Sequence, residues 1–361
     1  MKLYTCSNCH SLIYFENNIC LHCGYTLGFD SNSLSLVTLV TEGVNLYSNV
    51  QQKQEKFRFC KNAEYGTCNW LIHDQKETVY CQACELNRVI PSLTSEENLK
   101  RWKNIEIAKH RLVYSLLRLR LPVQKKTGNE ETGIAFDFLA ETSAKDKVIT
   151  GHDNGVITLN IEEADEAART RHKLHLGERY RTLLGHFRHE IGHYYWEVLI
   201  KNSEDLGRYR AVFGNEETDY SEALEAYYKN GAAVDWSEYF ISPYATSHPW
   251  EDWAETWAHY LHLMDTLETA FSFGIRIQPD MIQDTKKIQA SIQQDPYDMS
   301  DFKQIIKWWL PLTFAVNSLN RSMGHSDFYP FVISEPVVGK LEFIHELCMK
   351  YAALNTFYPR W

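Results

Sequence analysis

The chain has 361 residues, 44% of them hydrophobic and 23% charged, a composition that supports real cores and excludes a disordered or fibrous protein. The formal charge of −10 at pH 7 argues against nucleic acid as the main partner of the chain as a whole. No run approaches the length of a membrane span, and the opening MKLYTCSNCH lacks the apolar stretch of a secretory signal, so a cytoplasmic protein outside the membrane is expected.

Eight of the nine cysteines fall before residue 85. Cys6-x2-Cys9 and Cys20-x2-Cys23 form one quartet, and Cys60, Cys68, Cys81 and Cys84 a second. A C-x2-C pair curls two thiolates around one tetrahedral zinc, and two such pairs close the first site; the second has one such pair, Cys81-x2-Cys84, with the irregular Cys60-x7-Cys68, and each quartet is expected to hold a structural Zn2+. In a reducing compartment disulfides are the weaker reading. A four-thiolate site has no open position for substrate, so these metals would stabilise a segment with little core of its own. Residues 1–92 therefore read as two tandem zinc ribbons joined by the polar stretch QQKQEK, with short strands such as Thr78–Tyr80 in the knuckles.

From Ser95 the pattern becomes helical, with Trp102, Ile105, Ala108, Leu112, Leu116 and Leu119 on one face and Pro122 beyond the end. Between residues 100 and 126 this segment carries nine Lys and Arg against one acid, Glu106. Such a face is either a handle for nucleic acid or an acidic partner, or a surface docked on an acidic neighbour. Strand-like pieces follow at Ile134–Leu139 and Val148–Thr150, the latter forming a hairpin with Val156–Ile161 across the turn signal Asn154-Gly155. Beyond Glu162 the chain reads as helical, near residues 178–201, 218–230, 249–271, 300–322 and 335–353. Cys348 lies in an apolar helical run and reads as a buried small hydrophobe. No Gly-rich phosphate loop and no G-x-S-x-G elbow is present.

The segment His189-Glu190-Ile191-Gly192-His193 carries the chemistry. On a helix His189 and His193 are i,i+4 neighbours whose imidazoles reach one metal, while Glu190 projects beside a bound water as general base. The bland alternative is a helix with two packed histidines, but a buried helix bearing this much polarity needs compensation, and a metal supplies it. A zinc held by two histidines lacks a third protein ligand. The metzincin continuation would require Gly at 196 and His at 199, where the chain has Trp196 and Leu199. A second helix offers the alternative, opened by Pro249 and carrying Glu251 and Glu255 on one face, with Ala254 and Ala258 small enough for close approach. Glu251 is the expected third ligand, and Glu255 the expected acceptor behind a ligand imidazole. Trp250, Trp253 and Trp257 read as core, and His259 and His262 as packing or surface residues.

With H189-E-I-G-H193 and S242-P-Y-A-T-S-H-P-W-E-D-W-A-E255 the chain resembles the gluzincin metallopeptidases, most closely the bacterial zinc-binding metallopeptidases with an N-terminal zinc ribbon. The resemblance covers nearly the whole chain. It implies His189, His193 and Glu251 as ligands, Glu190 as base and Glu255 behind a histidine. A more distant likeness to lethal-factor-type and Pro-Pro endopeptidase gluzincins implies that Tyr244, seven residues before the ligand Glu, supports the zinc-bound water or the oxyanion. The chain departs from thermolysin's Glu-x3-Asp pattern in having Glu251-x3-Glu255. The expected fold is α+β and mostly helical, a zincin-like catalytic domain with a small antiparallel sheet preceded by tandem zinc-ribbon modules. The expected domains are the ribbons at 1–92, a basic linker helix at 93–128 and the metallopeptidase domain at 129–361. The expected function is hydrolysis of a protein or peptide substrate with one catalytic and two structural Zn2+, with Val156–Ile161 as the edge strand that would receive the substrate. Two other functions fit the same residues: a non-catalytic zinc scaffold gripping a partner or nucleic acid, and a peptidase held shut by its ribbons.

Overall fold

The computed structural model describes residues 2–128, 132–141, 147–166, 182–279 and 288–354. They fall into two compact units, with described residues 2–166 in the first and 182–354 in the second. Among the described residues no helix is long and apolar enough to cross a membrane.

The first unit opens with a hairpin of β1 (Tyr4–Thr5) and β2 (Leu12–Ile13). Two knuckle turns follow one pattern: the His10 amide donates to the Cys6 carbonyl and the Gly24 amide to the Cys20 carbonyl, both at 2.8 Å. Each turn closes on a left-handed residue, His10 at φ 60° and Gly24 at φ 75°, which lets the backbone reverse around the sulfurs. An antiparallel meander of five strands comes next: β3 (Thr26–Asp30), β4 (Ser35–Gly43), β5 (Leu46–Asn49), β6 (Lys56–Phe59) and β7 (Leu71–His73). Its core holds Val37, Leu39, Phe57 and Leu71. The stretch between the quartets is thus a sheet, and QQKQEK belongs to the connection from β5 to β6. Thr78–Tyr80 is not a strand; the Thr78 side chain caps a bend, accepting from the Tyr80 amide at 3.1 Å.

Helix α1 (Glu96–Arg118) starts at Ser95, whose hydroxyl accepts from the Asn98 amide. It is not a linker standing apart from the ribbons. Trp102, Ile105, Leu112 and Val113 are fully buried in the first unit, and three of its cations form ion pairs inside that unit. Lys109 pairs with Glu106, Arg101 with Glu97 and Asp165, and Arg111 with Glu16. Arg101 and Arg111 thus dock on acidic residues outside the helix, Asp165 and Glu16. A four-stranded mixed sheet completes the unit, built from β8 (Asn87–Val89), β9 (Ala135–Leu139), β10 (Gly151–Asp153) and β11 (Val156–Asn160) in the order β10-β11-β9-β8. The hairpin turns at Asn154-Gly155, both at positive φ, but its first strand is Gly151–Asp153 rather than Val148–Thr150. Strand β11 is flanked by β10 on one side and β9 on the other. Its backbone groups are already paired on both sides, so it is not the edge that a substrate strand could join.

The second unit is helical: α2 (Leu183–Leu199), α3 (Leu206–Phe213), α4 (Tyr220–Asn230), α5 (Pro249–Ser272), α6 (Phe302–Ser322) and α7 (Glu335–Leu354), with a short antiparallel pair of β12 (Arg276–Ile277) and β13 (Ala290–Ser291). Helix α3 has no counterpart in the sequence pattern. Helix α5 is central; Trp253, Trp257, Tyr260, Leu261 and Leu267 are fully buried, as a helix apolar nearly all round must be. Pro249 occupies its first turn, and His248 Nδ1 caps it by accepting from the Trp250 amide at 3.1 Å. Helix α2 packs on α5 at Gly192, and the Trp253 indole donates to the Gly192 carbonyl at 2.8 Å. Cys348 is fully buried on α7, and His259 and His262 are buried packing residues of α5.

Candidate metal centre

The 3.6-residue period sets His189 and His193 one turn apart on α2, and their Nε2 atoms converge to 3.3 Å. Helix α5 brings Glu251 to them, with Oε2 at 3.0 Å from His189 Nε2 and Oε1 at 3.6 Å from His193 Nε2. The three side chains place one donor atom each within 4.8 Å of one another, which suits a single ion. The surroundings also fit a cation. His189 Nδ1 faces Glu255 Oε1 at 2.7 Å; a carboxylate only accepts, so this nitrogen carries a proton, and Nε2 is the atom turned to His193 and Glu251 for a metal or a second proton. Lone pairs and a carboxylate gathered this closely in a buried place repel unless a metal or a proton lies among them.

The titration behaviour has the same cause. Burial opposes the charge on His189, but contacts with Glu251 and Glu255 win and hold its pKa well above the ordinary value. Burial would raise Glu251, yet the two histidines hold it well below the usual carboxylate range. Glu255 is lowered against its own burial by the hydrogen bond to His189. Its second oxygen accepts from Ser242 Oγ at 2.6 Å, so the longer glutamate reaches the imidazole that an aspartate would serve.

Glu190 is buried next to the pair, with Oε1 at 3.3 Å from His186 Nε2. Burial would raise its pKa, but His186, His189 and His193 lower it, so it stands ionised as a proton acceptor must. Tyr244 lies in a single 3-10 turn, Tyr244–Thr246, its ring 6.1 Å from that of His189. Burial and the charge of Glu251 raise its pKa far above the ordinary value, so it stays a protonated donor. Three contacts were not predicted. Tyr220, at the start of α4, donates its hydroxyl to Glu251 Oε1 at 2.7 Å; Ser242 holds Glu255; His186 holds Glu190. Tyr220 and Ser242 carry no sequence signal, because each meets its partner through tertiary packing, whereas His186 lies one helical turn before Glu190 and its contact could be read from that spacing. Trp250 packs on His193 with ring centroids 4.5 Å apart, whereas Trp253 and Trp257 are plain core.

The first unit gathers both quartets. Cys6, Cys9, Cys20 and Cys23 lie together, as do Cys60, Cys68, Cys81 and Cys84. The Cys6–Cys23 and Cys9–Cys20 sulfurs are 3.6 Å apart and those of Cys68 and Cys81 3.7 Å, close to the ~3.75 Å edge of a tetrahedron with zinc–sulfur bonds of about 2.3 Å. All nine cysteines are free thiols. In the second quartet Cys60 is pulled low by hydrogen bonds from Cys68, Cys81 and Cys84, while burial drives Cys68 and Cys84 up. A divalent ion held there would deprotonate its cysteine ligands.

Two imidazoles and a carboxylate on facing helices, with a second carboxylate beside them, make a candidate mononuclear metal centre, and two cysteine quartets make ribbon-type metal sites. Comparison with known proteins supplies the family. Residues 98–347 match the model of a family described as "Putative zinc-binding metallo-peptidase", and residues 3–95 match a zinc-ribbon domain. The chain belongs to this family of zinc-binding metallopeptidases and carries its zinc ribbon in front. It is 40% identical over 346 residues to uncharacterized proteins of Mycobacterium tuberculosis and Mycobacterium bovis, spanning 96% of this chain and 94% of theirs. No solved structure matches the chain significantly.

Proposed function

We propose that this chain is a zinc-dependent peptidase whose reaction centre is the His189, His193 and Glu251 cluster. The observation that carries the reading is the convergence of these three donors within 4.8 Å of one another, with ionised Glu190 alongside. Zinc bound there would supply a Lewis acid that polarises a peptide carbonyl and acidifies a water. The chain's residues do the rest. Glu190 accepts the proton from the attacking water and returns it to the leaving amine. The Tyr244 hydroxyl, held protonated, donates to the oxygen on which negative charge develops. Glu255 fixes the His189 tautomer, and Tyr220 orients the Glu251 carboxylate. The two cysteine quartets hold structural zincs, three metals per chain in all, and the substrate is a protein or peptide.

The test is Glu190→Gln in the full chain, read by metal content and by cleavage of an unstructured protein such as casein. The variant keeps its zinc and loses about 100-fold or more of the rate, the general-base contribution. An unchanged rate removes the mechanism. Absence of cleavage in the wild type with all three zincs bound favours the scaffold reading.

A further inference from the structure

Helix α1 delivers one more donor to the second cysteine quartet. His110, buried and pointing off the helix, sets Nε2 at 3.3 Å from Cys68 Sγ and 3.6 Å from Cys84 Sγ. Its Nδ1 lies 2.6 Å from the Glu106 carbonyl; a carbonyl only accepts, so Nδ1 carries the proton and the Nε2 lone pair faces the sulfurs. A histidine with its far nitrogen pinned on a backbone carbonyl is set as a metal ligand. The 3.6 Å to Cys84 suits that role, because a sulfur and a nitrogen on one tetrahedral zinc, with bonds of about 2.3 Å and about 2.0 Å, lie ~3.5 Å apart; at 3.3 Å Cys68 is nearer still. Glu106 lies beside the same sulfurs: its Oε1 accepts from Lys109 Nζ and Asn87 Nδ2, both at 2.9 Å, while its Oε2 is 3.5 Å from Cys84 Sγ.

The five donors are not equally protected. Cys60, Cys81 and Cys84 are buried, whereas Cys68 is half-buried and lines a cavity of about 480 Å³ with His110, Phe15, Ile19, Phe59 and Ile107. Cys68 is therefore the thiolate that solvent or a reagent reaches first, and His110 stands beside it.

We propose that His110 is a fifth donor of the second cysteine centre, able to take the place of Cys68 and hold the metal with Cys60, Cys81 and Cys84. The proposal rests on the quartet being a metal centre, and it makes that centre tolerant of losing its exposed thiolate. The two are tested together by NMR of the cadmium-loaded full chain, in which each centre gives its own cadmium resonance. The wild type shows two four-sulfur resonances. Cys68→Ala keeps both, the second moved to the position of three sulfurs and one nitrogen; Cys68→Ala with His110→Ala loses the second, while the first, from Cys6, Cys9, Cys20 and Cys23, reports that the fold survives. Cys68→Ser, which keeps the side-chain size, is read the same way should the alanine variant fail to fold. The proposal is overturned if the second resonance disappears from both Cys68 single variants with the first intact, or persists in the double variant. A wild type with one four-sulfur resonance alone overturns the metal centre itself.

Discussion

Gly192, between the two histidines, is where the packing of helices and the geometry of the metal site meet, so Gly192→Ala is an informative perturbation. A Cβ there would lie 3.1 Å from the Ala254 Cα and 3.2 Å from Trp257 side-chain atoms. The first is backbone. The second belongs to a fully buried indole stacked on Tyr195 with ring centroids 5.1 Å apart, which has nowhere to turn. Helices α2 and α5 must therefore separate by a few tenths of an ångström. Overpacking of this kind costs about 1–3 kcal/mol, and the better helix propensity of alanine returns about 1 kcal/mol. The net loss is about 1 kcal/mol, or ~2–4 °C in Tm for a domain of this size. The same separation draws Glu251 away from both imidazoles and weakens the Trp253 bond to the Gly192 carbonyl. Thermal unfolding by circular dichroism and zinc competition against a chromophoric chelator should show a lower Tm together with weaker binding at the third zinc. A variant as stable as the wild type, with undiminished zinc affinity, would refute the claim that close helix contact at Gly192 sets the distance of the carboxylate.

Two further outcomes follow from single contacts. Tyr220→Phe removes the hydroxyl that donates to Glu251 Oε1 and should weaken zinc binding at the histidine site by about 10-fold or more while leaving the cysteine sites unchanged; equal affinity would show that the hydroxyl does no positioning. His259 bears on pH stability. Burial lowers its pKa from 6.5 to about 4, with Glu255 opposing the shift. A depressed pKa means that the stabilisation is complete above pH 6.5 and is lost as pH falls from there through about 4, amounting to about 3 kcal/mol for a shift of this size. His259→Gln should flatten the decline measured by urea unfolding between pH 7 and pH 4.5; a slope identical to that of the wild type would assign the acid lability elsewhere.

Much of the candidate site is legible in the sequence because it is written at helical spacing. His189 and His193 need only a regular α2 to meet. Pro249 fixes the start of α5, so that Glu251 and Glu255 fall on one face whatever the rest of the chain does. The cysteine pairs are legible for the same reason, since C-x2-C closes within one turn. What escaped depends on tertiary placement. Tyr220 lies 31 residues before Glu251 in another helix, and His110 lies 26 residues beyond Cys84, hidden in a run of basic residues that suggests an outer surface. The meander at 26–73 was masked by its polar β5–β6 connection, although Leu36, Val37 and Leu39 are all buried in β4. Helix α3 is only eight residues long and contains Gly207, too short and too weak a former to announce itself. Strand β11 reads as an edge until its parallel neighbour β9, a non-local partner, is placed beside it.

The most direct test of the account is the position of the third metal. An anomalous difference map of the zinc-loaded protein, recorded at the zinc edge, should place a peak within about 2.0–2.2 Å of His189 Nε2, His193 Nε2 and a Glu251 oxygen, with Glu190 outside bonding distance. A zinc-loaded map with peaks only among the cysteines, or a metal bound by the histidines without Glu251, would contradict it.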